Sequence, residues 1–135
     1  MKISVAQISC SLGDPKANLS KVQDFSRRAK EAGAELIVFP EMTDTGYSMP
    51  VIQKHADHWK TGFVASLQEI ATQLSLAIVI GVSEREGSSI YNSQVLVDAK
   101  GKIVAKYRKT HLYAVAPVEE QTCFAHGNEF TTFSL

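Results

Sequence analysis

One stretch decides the fold: Leu36-Ile37-Val38-Phe39, followed directly by Pro40-Glu41. A short continuous apolar run of this kind is typical of a strand that is covered on both faces. Such strands occur in parallel sheets with helices above and below. The pattern returns at Leu76 to Ile80, a run that ends at Gly81. The two runs therefore predict two buried strands of an α/β sheet.

Helical patterns alternate with these strands. Lys2 to Ser9 predicts an opening strand, and Asp14-Pro15 then supplies an N-cap with proline at the first helical position. Gly33 stands where that helix would close with a left-handed residue. Apolar residues at helical spacing mark two helices: Leu19, Val22, Phe25 and Ala29 in the first, and Phe63, Leu67, Ile70 and Leu74 in the second.

A β-hairpin follows the second buried run. Ile90 to Val97 and Lys102 to Tyr107 are rich in β-forming residues, and the short polar segment Asp98-Ala99-Lys100-Gly101 joins them. The order β-α-β-α-β-β predicts an α/β layered fold with a mixed sheet.

Composition narrows the range of partners. The chain has 135 residues, with 14 basic and 14 acidic side chains and therefore a formal net charge of zero. This balance argues against a nucleic-acid surface and against a polybasic membrane patch, and it leaves a small molecule as the expected partner. The opening residues alternate like a strand rather than a signal peptide, so we expect a cytoplasmic location with Cys10 and Cys123 as free thiols.

Two residues have positions that suit catalysis. Glu41 follows a buried strand, and ligands of open α/β sheets bind outside the carboxyl ends of the parallel strands. A partly desolvated carboxylate there could act as a general base, although a solvated glutamate that opens a loop is the simpler interpretation of position alone. Lys109 would share a strand face with Tyr107 and His111 and could stabilise an oxyanion, but a lone lysine there is more simply a surface cation.

Several segments, taken together, resemble the nitrilase superfamily of carbon–nitrogen hydrolases. Val38-Phe39-Pro40-Glu41 with Gly46-Tyr47 is similar to the segment that bears the catalytic glutamate of that family. The lysine-bearing segment is matched by Tyr91-Asn92-Ser93, Gly101 and Tyr107-Arg108-Lys109-Thr110-His111-Leu112, and the start of the chain by Val5-Ala6-Gln7 and Asn18. The resemblance implies part of an α-β-β-α sandwich with a mixed sheet, and residues 1–135 as the N-terminal part of a single hydrolase domain.

What the resemblance implies chemically is a Glu-Lys-Cys triad. Glu41 would take the proton of the cysteine thiol, and Lys109 would stabilise the negative charge that develops during attack on an amide, N-carbamoyl or nitrile carbon. A second glutamate would precede Phe124-Ala125-His126-Gly127, with Glu120 the better-spaced candidate and Glu119 next to it. No metal or other cofactor is implied, and the intact protein is expected to form a homo-oligomer.

Tyr47 has two interpretations of equal weight. The resemblance implies that it lines the substrate pocket, whereas a tyrosine that caps a turn would suit the same position. His55 and His58 are spaced to share a helix face, but no third ligand is anchored nearby, so a metal site is not expected there.

The nucleophile of the triad is missing from the expected place. Cys123 lies only 14 residues beyond Lys109 and lacks the flanking strand, while Cys10 precedes the glutamate. Phe130 to Leu135 forms a strand-like run without a terminator, which indicates a truncated chain.

The alternative function is a non-catalytic fragment or pseudoenzyme that acts as a binding module. A flavodoxin-like nucleotide-binding domain is disfavoured, because Ser9 to Pro15 lacks a glycine-rich phosphate loop.

Overall fold

The computed structural model describes residues 1–133 of the chain. The elements of the main body follow one another as β1 (Ile3–Val5), α1 (Pro15–Glu31), β2 (Leu36–Val38), α2 (Met49–His55), α3 (Phe63–Leu74), β3 (Ala77–Glu86), β4 (Ser89–Val97) and β5 (Ile103–Arg108). A small hairpin follows, with β6 (Ala114–Val115) and β7 (Val118–Glu119), and a 3₁₀ turn over Glu120–Thr122. The predicted order of strands and helices is confirmed, and α2 is an additional element that the pattern did not predict.

The sheet is mixed, as predicted. Its strand order is β1-β2-β3-β4-β5. The first three strands are parallel, with Ile37 of β2 opposite Ser4 and Ile78, and β4 and β5 continue antiparallel. The carboxyl ends of β1 and β2 therefore point toward the same edge, where the loop after β2 can meet the long strand β3.

Helix α1 begins and ends where the sequence indicates. The Asp14 carboxylate accepts a hydrogen bond from the Ala17 N–H at 3.0 Å, and Pro15 occupies the first turn. After α1, Gly33 adopts φ +81°, a left-handed conformation that glycine adopts at little cost. Helix α3 ends differently, because Ser75 takes the left-handed position at φ 47°.

Both long helices lie on one face of the sheet, which corrects the expectation of helices above and below. Val22 of α1 and Leu67 of α3 share a single apolar cluster with Ile37, Ile78 and Val95. The physical reason is chain topology: successive right-handed crossovers that proceed in one direction, β1 to β2 to β3, place their helices on the same side. The opposite face carries a smaller cluster around Leu36, Ala77 and Leu96.

Strand ends differ from the sequence expectation in three places. The first strand is shorter than Lys2 to Ser9, and β3 does not end at Gly81 but continues to Glu86. The predicted strand-like run at Phe130 to Leu135 is wrong for residues 130–133, which form no strand, and residues 134–135 lie outside the described part.

Within residues 1–133 no helix is long and apolar enough to cross a membrane. In the same residues, no three His, Cys, Asp or Glu side chains lie close enough together to hold a metal ion.

Candidate active site

Glu41 lies in a tightly held loop that follows β2. The loop crosses directly over β3: Gly81 N–H donates to the Pro40 carbonyl at 3.1 Å, and Thr43 N–H donates to the Gly81 carbonyl at 2.9 Å. A Cβ atom on Gly81 would lie only 2.5 Å from the Cα of Glu41, so this close approach requires glycine. Met42, fully buried, holds a left-handed φ of 48°, an uncommon conformation of the kind that packed surroundings must maintain.

Asp44 fastens the same loop to β3 three residues further on. Its buried carboxylate accepts hydrogen bonds from both the backbone N–H and the hydroxyl of Ser83, while Asn18 donates to the Asp44 carbonyl at 2.9 Å. Burial raises the pKa of Asp44 to about 6, and the bonds from Ser83 oppose this rise. The position of Glu41 is therefore supported on either side, by Gly81 and by Ser83.

Lys109 follows the last residue of β5 and points toward the Glu41 loop. Its backbone is fixed by two hydrogen bonds, from Lys109 N–H to the Asn92 carbonyl at 2.8 Å and from Gly127 N–H to the Lys109 carbonyl at 2.9 Å. Its Nζ lies 3.0 Å from Glu120 Oε2 and 3.7 Å from Glu41 Oε2. The lysine is thus shared between two carboxylates.

Glu120 is the buried member of this group, with a relative exposure of 0%. Burial alone would raise the pKa of Glu120, but hydrogen bonds from the Tyr113 N–H, the Tyr47 hydroxyl and Lys109 outweigh it, and the pKa lies below its ordinary value. Of the two adjacent candidates, Glu120 is the one in contact with Lys109, whereas Glu119 is exposed on β7.

Tyr47 contacts the site through Glu120. The tyrosine hydroxyl donates to Glu120 Oε1, and burial together with this hydrogen bond raises the pKa of Tyr47. Its ring remains partly exposed. The contact ties the Glu41 loop region to the segment that carries Glu120.

Asn92 is a member of the site that the sequence interpretation did not single out. It lies buried on β4, and its Nδ2 donates to Glu41 Oε2 at 2.8 Å and to Glu120 Oε1 at 3.2 Å. The only signal in the sequence was the motif Tyr91-Asn92-Ser93, which carries no indication of partners far away in the chain.

The cluster formed by Glu41, Asn92 and Lys109 opens onto a cavity of about 270 Å³. Side chains that line it include Glu41, Asn92, Tyr107, Lys109 and His111. The side chain of Glu41 is 54% exposed, so its carboxylate can exchange protons with a bound molecule, while the neighbouring ammonium can stabilise developing negative charge.

The two thiols lie elsewhere. Cys123 packs beside Met42, Ile52 and Phe124, and its Sγ is 3.8 Å from the Met49 carbonyl. Burial raises the pKa of Cys123 to about 11 and also raises the pKa of Cys10, so both thiols stay protonated at neutral pH. Neither of these cysteines lines the cavity beside Glu41.

A second charged cluster lies around Glu84 of β3. The Glu84 carboxylate accepts two hydrogen bonds from Arg108, at 2.7 and 2.9 Å, and one each from Lys106 and Ser93. The Arg108 guanidinium also stacks 3.8 Å above the centroid of the Tyr91 ring. Burial alone would raise the pKa of Glu84, but these donors outweigh it and hold the pKa at about 2.

An α/β sheet that brings a carboxylate after β2 to within 3.7 Å of a lysine after β5 defines a class of candidate acid–base enzymes. Comparison with known proteins gives the family. The model of the carbon-nitrogen hydrolase family matches residues 2–135. A nitrilase of Pyrococcus abyssi is 33% identical over 120 residues, which cover 84% of this chain and 44% of the relative. A 2-oxoglutaramate amidase of Bacillus subtilis is 31% identical over 134 residues, covering 98% of this chain and 51% of the relative.

A solved structure leads to the same family. A variant of an amidase from Nesterenkonia sp., which shows acrylamide added at its active-site cysteine, superposes with a TM-score of 0.85 at 28% identity, covering 96% of this chain and 50% of that one. The chain therefore belongs to the carbon–nitrogen hydrolase family, within the nitrilase superfamily, and has its α/β fold. It spans about half the length of the relatives that it matches.

Proposed function

We propose that this chain supplies the base and the lysine of a Glu-Lys-Cys hydrolase that cleaves the carbon–nitrogen bond of a small amide, N-carbamoyl compound or nitrile. One observation carries the proposal: the Lys109 ammonium is held 3.7 Å from the half-exposed Glu41 and 3.0 Å from the fully buried Glu120. The relatives named as an amidase and a nitrilase support the amide and the nitrile in this range.

For an amide substrate, Glu41 would act twice in such a reaction. It first takes the proton of the cysteine thiol, so that the thiolate attacks the substrate carbon while the carbon–oxygen double bond opens to an oxyanion beside Lys109. Glu41 then returns that proton to the departing nitrogen, because an amine leaves poorly unless it is protonated. In the second half Glu41 takes a proton from water, and the water oxygen attacks the thioester carbon. The carbon–sulfur bond then breaks to release the acid, and Glu41 returns the proton to the cysteine sulfur, which restores the starting state.

Glu120 has a supporting part in this scheme. With no exposure to solvent and a pKa below the ordinary value, it remains an anion throughout the reaction. A permanent negative charge 3.0 Å from Nζ holds the Lys109 ammonium in place and directs it toward Glu41. Tyr47 would border the substrate while donating to Glu120.

The nucleophilic thiol would come from a segment outside these 135 residues. Cys10 and Cys123 are the two cysteines of the sequence, and burial raises the pKa of both. A half-buried thiol that stays protonated is a poor nucleophile. We therefore propose that residues 1–135 form the N-terminal part of a single hydrolase domain and are inactive alone. That the intact protein forms a homo-oligomer stays a separate prediction.

The test compares the 135-residue chain with the protein extended along its coding sequence beyond Leu135. Both are assayed on ω-amides, N-carbamoyl amino acids and nitriles. We expect turnover only from the extended protein, and in it Glu41→Gln should lower kcat by ~10²–10⁴-fold because the base is lost while the shape is kept. Lys109→Ala should lower kcat by a similar factor. Glu69→Gln, at an exposed position of α3, is the matched control and should leave kcat unchanged.

Two results would contradict the proposal. Turnover by the 135-residue chain, abolished by Cys123→Ser, would show that the nucleophile lies within this sequence. A stop codon directly after Leu135 in the native gene would favour the alternative, a non-catalytic binding module. In the extended protein, Cys10→Ala and Cys123→Ser should each leave kcat nearly unchanged.

A further inference from the structure

Asn92 connects the two carboxylates of the site through one nitrogen atom. Its Nδ2 lies 2.8 Å from Glu41 Oε2 and 3.2 Å from Glu120 Oε1. Ionised carboxylates can only accept hydrogen bonds, so the side chain must present its NH₂ group to both of them, and this fixes the orientation of the amide. A buried neutral donor thus lies between two anions that share a single cation, Lys109.

The two oxygens of Glu41 are consequently unequal. Oε2 receives the hydrogen bond from Asn92 and lies 3.7 Å from the Lys109 ammonium. Among residues 1–133 the structure gives Oε1 no hydrogen-bond donor. We propose that Asn92 is a positioning residue that anchors Oε2 of Glu41 and thereby assigns the proton transfers to Oε1.

The reason that such an anchor matters is the exposure of Glu41. A glutamate side chain that is 54% exposed can rotate among several conformers unless a fixed group holds it. Asn92 is rigidly placed, because it lies within β4, where it faces Ser83 of β3, and its carbonyl accepts the Lys109 N–H at 2.8 Å. The same residue therefore fixes the backbone of the lysine and the side chain of the base, which sets their relative position.

The first arm of the test needs no catalytic activity, so it remains informative even if the proposed hydrolysis fails. The side-chain amide signals of Asn92 in the 135-residue chain are followed by NMR as the pH is lowered, in the wild type and in Glu41→Gln and Glu120→Gln. We expect the wild-type signals to respond to protonation of both glutamates, and each variant to lose one of the two responses. Signals that are indifferent to Glu41→Gln would overturn the proposal.

The second arm rests on the proposed function and uses the extended, active protein. Asn92→Leu removes the donor at similar volume and should lower kcat by roughly 10²-fold with KM within about threefold, as expected when a catalytic group is misplaced by about 1 Å. Asn92→Asp replaces the donor with a third carboxylate. It should move the acidic limb of the rate profile to higher pH, because three anions then compete for one cation.

Asn128→Leu, at an exposed position outside the site, is the matched control and should change neither quantity. A purely structural role for Asn92 would instead reduce the folded fraction and leave kcat per folded molecule and the shape of the pH profile unchanged. That result would overturn the proposal, whereas absent turnover in the wild type would count against the proposed function alone.

Discussion

Two glutamates, Glu41 and Glu84, face cations from the same end of β5, yet their surroundings differ. Glu84 is 6% exposed, and four hydrogen bonds from Arg108, Lys106 and Ser93 satisfy both of its oxygens. Glu41 is 54% exposed, and within residues 1–133 one hydrogen bond, from Asn92, reaches its carboxylate. The strongly shifted pKa belongs to Glu84, whereas the carboxylate that is open to a bound molecule is that of Glu41.

The alternation of side chains along each strand explains how the two sites coexist. Neighbours in the sequence point to opposite faces, so Arg108 and Ser93 serve Glu84 while Lys109 and Asn92 serve Glu41. The cluster on the helix side is saturated and stabilises the sheet. In the cluster on the other side, the Glu41 carboxylate accepts a single hydrogen bond within residues 1–133. A strongly perturbed pKa, such as that of Glu84, therefore can mark a structural ion-pair cluster as well as a reactive group.

The largest effect that distinguishes the two sites is on stability. Glu84→Gln should lower the free energy of unfolding by about 3 kcal/mol, because Arg108 and Lys106 would lose their buried counter-charge. Glu41→Gln, the same substitution at the other site, should cost less than about 1 kcal/mol because the carboxylate is half solvated. Urea denaturation at pH 7 measures both values.

The matched control is Glu86→Gln, which removes a carboxylate 3.0 Å from the same Arg108 but 64% exposed. It should cost less than about 1 kcal/mol. The pH dependence gives an independent check. The pKa of Glu84 is about 2 in the folded protein against an ordinary 4.5, so its contribution is present above pH 4.5 and is lost as the pH falls toward 2. Equal costs for Glu84→Gln and Glu41→Gln would contradict the distinction.

The next effect concerns Asp44, which fastens the Glu41 loop. Its pKa of about 6 exceeds the ordinary 3.8, so the folded state binds this proton more tightly than the unfolded state does. Stability should therefore be highest below pH 3.8 as far as this group is concerned, and should fall by roughly 3 kcal/mol as the pH rises through 6.

Asp44→Asn removes this titration while keeping the shape. The difference in unfolding free energy between wild type and Asp44→Asn should rise between pH 4 and 7 in favour of the variant, measured by urea denaturation at several pH values. Asp24→Asn, at an exposed position of α1, is the control, and its difference should stay within about 0.5 kcal/mol. A flat difference for Asp44→Asn would show that the buried carboxylate carries no such penalty.

These contrasts also explain how much the sequence could reveal. The periodicity of apolar residues predicted the strands, the two long helices and the hairpin, because each depends on neighbours in the chain. Glu41, Lys109 and Glu120 were singled out by the resemblance, and the structure brings their side chains together. Their catalytic roles stay predictions until activity is measured.

Residues whose partners lie far along the chain were missed. Asn92 meets Glu41 and Glu120 only because β4 is paired with β3 in one register and the loop after β5 folds back. Ser83 holds Asp44 across 39 positions. The strand end predicted at Gly81 was wrong, since the glycine marks a crossing of the Glu41 loop over the strand rather than a turn. Such contacts follow from tertiary packing, which local patterns do not encode.

The smallest expected effect is that of Tyr47→Phe, which tests whether Glu120 depends on the hydrogen bond from the Tyr47 hydroxyl. The substitution removes one hydroxyl donor from Glu120 and leaves the Tyr113 N–H and Lys109 in place. Because a donor to the ionised form is lost, the pKa of Glu120 should rise, and the unfolding free energy should fall by about 1.5 kcal/mol, at the lower end for hydrogen bonds to charged groups. Carboxyl ¹³C NMR against pH and urea denaturation measure the two quantities. Tyr113→Phe is the control, because the contact of Tyr113 with Glu120 is through its backbone N–H, so the substitution should leave the pKa of Glu120 unchanged. If Tyr47→Phe also left that pKa unchanged, the tyrosine would be a neighbour of the site rather than a part of its hydrogen-bond network.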